Sequence, residues 1–573
     1  MQIIRINTKT KQISRQEITK DSEYLLLGGR ALSAKIIHDE VPPKCDPLGP
    51  DNKLIIANGT LAGSPFPNSA RTSVGGKSPL TGGIKEANVG GRTAMMLARR
   101  GIRALVLEDK SPTLKLVMID DDGIKLLPAD EYKRMGNYEL YSELYEKYGA
   151  KIGIYSIGPV GEYQMRSATV ATNDMEGYPS RHAARGGLGS VMGSKNIKAI
   201  VIAPIKKSKV EVKSLKKFRE VSKPFAQMLA ESKEGFSTYG TPLMMQPMSE
   251  YGGIPTKNFR KGTYEDIEKI SGEALHEFVI SRGGKKRLAC CPTCVIRCSN
   301  LVVDEEGNHI TSSLEYETMA LNGTNLLIND LEKLAWIDHY CDDVGIDTIE
   351  YGGTVGVAMD EEKIEWGDAD KVIQILDDEI RNNTELGQLY GNGVKNIGEK
   401  LDAKRVPQVK GQGISAYDPR VFKAMGVTFA TSPMGADHTS GAAIAGRSAR
   451  SDRDYGDLTA NESKLDLSFE LQVYIGVWDA LGCCYFVGPS YENMELAAKA
   501  LSAMYDVKIE REDVINIGKQ MLKNELEFNE LAGLTQEMND IPEFFREESS
   551  EPVELKFTFD KEDLLKFWNR LDM

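Results

Sequence analysis

Three cysteines constrain this chain more than any other feature. The run Cys291-Pro-Thr-Cys294-Val-Ile-Arg-Cys298 puts three sulfurs on one short loop or helical turn. A fourth, brought in by the fold, would close a four-thiolate cage. Such a cage suits a [4Fe–4S] cluster or a tetrahedral zinc ion; the plain alternative is a set of free buried cysteines. Cys290 precedes the run, so four of the eight cysteines lie within nine residues, which favours a metal centre. Zinc sites more often pair two Cys-x-x-Cys units or add nearby histidines. The nearest histidine is His309, so the spacing favours iron–sulfur. The run is read together with the distant pair Cys483-Cys484.

Composition narrows the class. At 573 residues the chain is long enough for about three or four domains. Its hydrophobic fraction of 41% and charged fraction of 27% are those of a soluble globular protein. A net charge of −13 argues against nucleic acid, whose phosphates need a basic face. No run of about 18 apolar residues occurs, so no membrane span is expected. The amino-terminal stretch lacks the apolar core and cleavage site of a secretory signal. Eight unevenly spread cysteines do not look like a disulfide framework. A reducing, cytoplasmic setting is expected.

The periodicities predict an α+β protein. Ile3–Asn7, Lys53–Asn58, Ala104–Glu108, Leu114–Asp120, Lys151–Ser156 and Lys198–Ala203 are apolar or alternating runs bounded by turn residues, so residues 1–205 read as β-rich. Between them lie the glycine clusters Gly28-Gly29, Gly75-Gly76, Gly82-Gly83, Gly90-Gly91 and Gly186-Gly187, several beside an arginine. Glycine lets backbone N–H groups approach an anion, and arginine binds phosphate by a two-pronged hydrogen bond. A cradle for a phosphate-bearing cofactor is the functional reading; ordinary β-turns with solvated arginines are the plain one. Beyond this region Val212–Ser232, Ser313–Asp343, Asp368–Leu389, Asn493–Tyr505 and Val514–Leu531 have helical spacing. Two mainly helical domains, 206–410 and 411–573, are expected to follow the β-rich domain.

Two common phosphate motifs fail. In Gly187-Leu-Gly-Ser-Val-Met-Gly193-Ser-Lys195 the lysine does not directly follow the second glycine as a P-loop requires, and the same glycines miss G-x-G-x-x-G by one residue. A short echo joins Asp342-Asp-Val-Gly345-Ile-Asp347 to Asp479-Ala-Leu-Gly482-Cys-Cys484. Each follows an apolar helical pattern. Either both are glycine-capped helix ends alike by chance, or two quasi-equivalent ends grip two copies of one ligand, carboxylates being good acceptors for heterocycle N–H groups.

Taken together, these residues resemble the aldehyde:ferredoxin oxidoreductase family of tungsten-pterin enzymes, with its bacterial members in view. The resemblance runs nearly end to end. It includes Asn68-Ser-Ala-Arg71, Lys77-Ser-Pro-Leu-Thr-Gly82, Ala87-Asn88-Val-Gly-Gly91, Arg185-Gly186-Gly187 and on to Lys195, and the cysteine run. It continues through Glu315-Tyr-Glu317, both Asp-x-x-Gly motifs, Ala416-Tyr-Asp-Pro-Arg420 and Gly435-Ala-Asp-His438.

The resemblance implies a β-rich base carrying two pterins that together bind one tungsten, or molybdenum, with two helical domains over them. It assigns pterin binding to Asp342, Asp347 and Asp479, and the cluster to Cys291, Cys294, Cys298 and Cys484. A magnesium ion would bridge the pterin phosphates through the backbone carbonyls of Asn88 and Ala183. Arg71 matches a phosphate-binding position, and Arg185, Gly186 and Gly187 are carried over as cofactor-binding. Glu317 and His438 match positions beside the metal: a buried glutamate can take a proton from water, and a histidine can donate to the carbonyl oxygen as charge builds there. The implied activity is oxidation of an aldehyde to a carboxylic acid, with electrons leaving through the cluster to ferredoxin or a small ferredoxin-like subunit. A related reading is the catalytic subunit of an aromatic thioester (benzoyl-CoA type) reductase. A structural zinc protein or an inactive cofactor-binding module is the third.

Two departures matter. The iron-bridged homodimer of the family uses Glu-x-x-His, whereas this chain has Trp336-Ile-Asp-His339, which puts that dimer in doubt. Cys290 beside Cys291 and Cys483 beside Cys484 leave the ligands ambiguous by one residue; spacing favours Cys291 and Cys484.

Overall fold

A computed structural model describes residues 1–205, 208–444 and 448–572; the domain boundary expected at residue 206 lies outside the described residues. A β-rich N-terminal region of mixed sheets is followed by a helix-rich remainder. Two compact units form. The first takes Met1–Ser232, Ala289–Val295 and Val473–Gly533; the second takes Lys233–Leu288, Ile296–Gln472 and Leu534–Met573. No helix among the described residues is long and apolar enough to cross a membrane.

Among the described residues the first unit is built on twelve strands in two sheets of six. They are β1 (Gln2–Asn7), β2 (Ile13–Glu17), β3 (Leu54–Asn58), β4 (Thr72–Lys77), β5 (Ile84–Val89), β6 (Ile102–Glu108), β7 (Lys115–Asp120), β8 (Gly123–Pro128), β9 (Gly153–Ser156), β10 (Val170–Thr172), β11 (Arg181–Ala183) and β12 (Ile197–Ile202). One sheet runs β2-β1-β6-β3-β4-β5 and the other β11-β10-β9-β12-β7-β8. Only β1–β6 and β12–β7 pair in parallel; the other pairs are antiparallel.

Period-two alternation explains the stacking. Ile4 and Ile6, Leu54 and Ile56, Leu105 and Leu107, Val117 and Ile119, and Ile200 and Ile202 share one buried core between the sheets. The other face of the second sheet offers Leu116, Met118, Ile154, Ala199 and Val201 to Leu140, Tyr141 and Leu144 of the helix Asn137–Tyr148. Because both faces are covered, these strands are continuous apolar runs, which is why the sequence shows them so clearly. Gly75 and Gly76, read above as turn glycines, lie within β4 instead. A Cβ on Gly75 would lie 2.7 Å from the Ser33 Cβ, so glycine there admits the helix Gly29–Glu40.

In the second unit the three-stranded sheet Lys285–Leu288, Ser299–Val303 and His309–Ser312 precedes a set of helices. The stretch Ser313–Asp343, expected to be helical throughout, is two α-helices, Tyr316–Asn322 and Leu331–Val344. The break has a local cause. Leu327 adopts a left-handed φ of 60°, and the Asp330 side chain accepts from the N–H groups of Glu332 and Lys333 to start the second helix.

Within the first unit, one close approach fixes the C-terminal end of the helix Lys464–Leu481. Thr60 N–H donates to the Ala480 carbonyl at 3.2 Å, Leu61 N–H to Leu481 at 3.2 Å, and Arg71 N–H to Gly482 at 3.0 Å. A Cβ on Gly59 would lie 2.0 Å from the Gly482 nitrogen, so two backbones touch there. Gly59→Ala is expected to destabilise the protein by about 3 kcal/mol, the upper range for overpacking. Urea denaturation measures this, and an unchanged midpoint would mean the contact carries no weight.

Candidate functional site

Asn68 ties the cysteine loop to the Cys484 turn. Asn68 has a φ of +55°, a left-handed conformation that asparagine tolerates better than most residues. Its backbone N–H donates to the Thr293 carbonyl at 2.9 Å, and its carbonyl accepts from the Cys484 N–H at 3.0 Å. Its side-chain oxygen accepts from Val295 N–H at 3.0 Å, and its Nδ2 stands 3.8 Å from the Cys294 Sγ. One residue thus grips both the Cys290–Val295 loop and the Cys484 turn. Ser69 N–H adds a bond to the Thr293 hydroxyl at 2.9 Å.

Sulfur and guanidinium chemistry meet beside this clamp. The Arg71 Nη1 lies 3.7 Å from the Cys290 Sγ. Burial works against the Arg71 charge, but Cys484, Cys290, Cys291 and Asp479 outweigh it and raise its pKa. Cys290 takes hydrogen bonds from the thiols of Cys291 and Cys294, which push its own pKa well down; the charges of Arg71 and Arg181 help. Cys291, as the partner in that bond, is pushed up. The charges of Arg71 and Arg181 therefore favour a thiolate within the Cys290–Cys291 pair, and spacing favours Cys291 as a ligand. Cys294 and Cys484 are buried and Cys298, in the second unit, is half-buried. Among the described residues no three His, Cys, Asp or Glu side chains converge on one ion position. A cubane cluster takes one thiolate per iron, so its ligands need not converge on a point. An all-sulfur donor set beside a guanidinium fits a cluster that leaves net negative charge on its thiolates.

The positions expected to hold a phosphate lie in the same unit. Asn88 is on β5, and its side-chain oxygen and its carbonyl both accept from Arg71. Its buried Nδ2 has no hydrogen-bond partner among the described residues. A buried amide donor left unmade costs about 1–3 kcal/mol, so an anionic oxygen is the ligand it fits. Ala183 is on β11, which packs against β5. Arg185 is buried and begins the turn in which Gly186 and Gly187 take φ values of 82° and 74°. A Cβ on Gly187 would sit 2.1 Å from the Arg166 carbonyl oxygen, so that glycine has a packing reason of its own.

Asp479 is buried in a charge array that the sequence did not disclose. Arg30, wholly buried, makes two 2.9 Å bonds to Glu525 and stands 3.4 Å from Asp479. Burial and then the charge of Glu86 push the Asp479 carboxyl well up, while Arg30 and Arg71 pull it down.

The second unit holds the other expected residues. Asp342 lies in the last turn of the helix Leu331–Val344, and Asp347 caps the next helix by accepting from Ile349 N–H at 3.0 Å. Glu317 and His438 come together: Glu317 Oε1 is 3.5 Å from His438 Nε2, with 14% and 13% of the side chains exposed. Glu317 Oε2 accepts from Ala416 N–H at 2.8 Å. His438 Nδ1 is 3.0 Å from the Ser415 Oγ. The Tyr316 hydroxyl donates to the Ala416 carbonyl at 2.6 Å, and the Tyr417 ring lies 6.0 Å from the imidazole. An acceptor-only carboxylate thus faces an imidazole across a short gap, the arrangement of a proton-handling pair. Elsewhere in this unit the Trp336 ring packs 5.2 Å from His339, whose Nδ1 bonds the Ile310 carbonyl at 2.6 Å.

Two family models match the chain. That described as "Aldehyde ferredoxin oxidoreductase, N-terminal domain" matches residues 3–204, and that described as "Aldehyde ferredoxin oxidoreductase, domains 2 & 3" matches residues 220–566. The chain belongs to the aldehyde ferredoxin oxidoreductase family. It is 31% identical over 570 residues to a tungsten-containing aldehyde ferredoxin oxidoreductase of Pyrococcus furiosus, covering 95% of this chain and 91% of that one. It is 26% identical over 485 residues to an aliphatic sulfonate oxidoreductase, WOR-like subunit, of the same organism, covering 77% and 75%. A solved structure, the active-site complex BamBC of benzoyl coenzyme A reductase with 1,5-dienoyl-CoA, shares the fold with a TM-score of 0.82 at 17% identity, over 100% of this chain and 94% of that chain.

Asn68 was quoted above only as part of a motif, and Ser415 and Glu525 were not singled out; Arg30, the arginine beside the Gly28-Gly29 cluster read as part of a phosphate cradle, faces Glu525 and Asp479. The clamp yields a stability test. Asn68→Gly keeps the left-handed backbone and removes one acceptor, so a loss of about 1 kcal/mol is expected. Asn68→Ala adds the cost of a left-handed φ, about 1 kcal/mol more. Denaturation of the two variants checks the order; equal losses would mean the backbone conformation is not what matters.

Proposed function

We propose that this member of the family is a tungsten-bis-pterin enzyme that oxidises aldehydes to carboxylic acids and passes electrons to ferredoxin or a ferredoxin-like subunit. The observation that carries the reading is the Glu317–His438 pair: two proton-handling groups 3.5 Å apart, each anchored on its far side. The identity to tungsten-containing relatives over most of both chains supports the metal.

The residues divide as follows. Cys291, Cys294, Cys298 and Cys484 hold a [4Fe–4S] cluster. Asp342, Asp347 and Asp479 bind two pterins, with Arg71, Arg185, Gly186 and Gly187 on the phosphate side and a magnesium ion on the Asn88 and Ala183 carbonyls. When bound, the metal would supply two-electron acceptance and the cluster one-electron transfer onward. Glu317, its Oε2 occupied by the Ala416 N–H, keeps Oε1 to accept a proton from water. His438 donates from Nε2 to the carbonyl oxygen as charge builds there. Half-buried side chains limit water around both and strengthen these interactions.

The second reading, catalysis on an aromatic thioester, draws on fold likeness to the benzoyl coenzyme A reductase complex. The two differ in outcome. Anaerobically purified protein should contain one tungsten and about four irons per chain, and it should reduce a viologen with aldehydes. Turnover with an aromatic thioester and none with aldehydes would replace the first reading by the second. Zinc alone would overturn both.

Glu317→Gln should retain full metal content and lose turnover by about a thousand-fold; near-normal oxidation removes Glu317 from the mechanism. Cys291→Ala should lose the cluster's visible absorption, and Cys290→Ala should keep it. The reverse pattern would move the ligand by one residue.

A further inference from the structure

Glu317 and His438 are arranged by a neighbour outside the sequence motifs quoted above. Ser415 is wholly buried, and its Oγ lies 3.0 Å from the His438 Nδ1. The next residue, Ala416, donates its N–H to Glu317 at 2.8 Å. Two consecutive residues therefore hold both members of the pair from behind. That short segment is itself anchored. Gly413 N–H donates to the buried Glu350 carboxylate at 2.6 Å, and Gln412 Nε2 donates to the Ala436 carbonyl at 3.2 Å, two residues before His438.

Hydrogen-bond directions follow from the donor inventory. An ionised carboxylate only accepts, and a neutral imidazole carries one N–H and one lone pair. The nitrogen facing Glu317 at 3.5 Å is Nε2. Glu317 Oε1 makes no hydrogen bond among the described residues, so what acts across that gap is charge. With the proton on Nδ1, the Nε2 lone pair would stand 3.5 Å from the carboxylate and be repelled; with the proton on Nε2, a positive N–H edge stands there and Nδ1 accepts from the Ser415 hydroxyl.

Resting on the reading of Glu317 and His438 as the reacting pair, we propose that Ser415 is a positioning residue that holds His438 as its Nε2–H tautomer, aimed to the side where Glu317 lies.

The test is a tautomer measurement on the holoenzyme labelled with 15N-histidine, at about pH 8 where an ordinary imidazole is neutral. The protein has six histidines, and His438→Asn identifies the signal. Wild type should show a protonated Nε2 and an unprotonated Nδ1. Ser415→Ala should populate both tautomers and lower kcat about ten-fold with little change in KM. Ser415→Thr, which keeps the hydroxyl, should restore the single tautomer and turnover to within about two-fold. An Nδ1–H resonance in wild type overturns the proposal. So does a Ser415→Ala enzyme with the wild-type tautomer and rate. Should the alanine variant fail to fold, wild type and Ser415→Thr decide by tautomer alone. The readout does not depend on the substrate: the expected tautomers with no aldehyde turnover would sink the proposed function and leave this inference standing.

Discussion

The left-handed backbone of Asn68 is the constraint on which the thiol site depends. Asn68 and Cys294 are 226 residues apart in sequence, and Cys484 is farther still. Closing loops of that length costs little more than closing shorter ones, because closure entropy grows only with the logarithm of length. What is demanding is direction. A residue in the β or right-handed α region points its N–H and carbonyl differently. At +55° Asn68 aims one at Thr293 and the other at Cys484. Its short amide then reaches Val295 and the sulfur of Cys294.

Electrostatics in the first unit has the same logic of compensation before any ligand is bound. Arg30 is a buried cation and Arg71 a partly buried one. An unpaired buried charge is expensive, and a paired one is tolerated when its hydrogen bonds are made. Arg30 is satisfied by Glu525 and Asp479. Arg71 is satisfied by Asn88, the cysteine sulfurs and Asp479. The thiols around Cys290 and Arg71 therefore form one charge system. Removing the guanidinium would raise the cost of every thiolate beside it, not of one alone.

The fold was legible where burial is two-sided. All six strands expected in the N-terminal region exist: those covered on both faces, such as β3 and β12, write continuous apolar runs, and β1 writes an alternating one. β4 and β5 were not legible. Thr72-Ser-Val-Gly-Gly-Lys77 carries glycines that read as a turn, and its small residues are there to let a helix approach. The site divides in the same way. The cysteine spacing was visible from covalent sequence alone. Glu317 and His438 needed a family resemblance, since nothing local marks a proton-handling residue. Ser415 needed coordinates, because a buried serine looks like any other until its partner is known, and Arg30, flagged beside the Gly28-Gly29 cluster as a phosphate-cradle arginine, turned out to face two carboxylates.

The two Asp-x-x-Gly motifs show what an internal echo does preserve. After each helix the glycine is left-handed, Gly345 at 78° and Gly482 at 76°. The next N–H reaches back to the carbonyl preceding the aspartate: Ile346 to Cys341 and Cys483 to Trp478, each at 2.9 Å. This is a Schellman-type turn made twice. It places the aspartate in the last helical turn and fixes the direction of the residue five positions on. That residue differs: Asp347 caps a new helix through Ile349, whereas Cys484 presents a sulfur beside Asn68. The repeated object is therefore a backbone turn with a carboxylate on one side and an open choice on the other. A carboxylate in that choice serves the fold and whatever N–H groups approach it. A thiol there can ligate a metal, pair with another sulfur or pack as a small buried group, and it is the end beside Asn68 and the cysteine loop that carries the thiol.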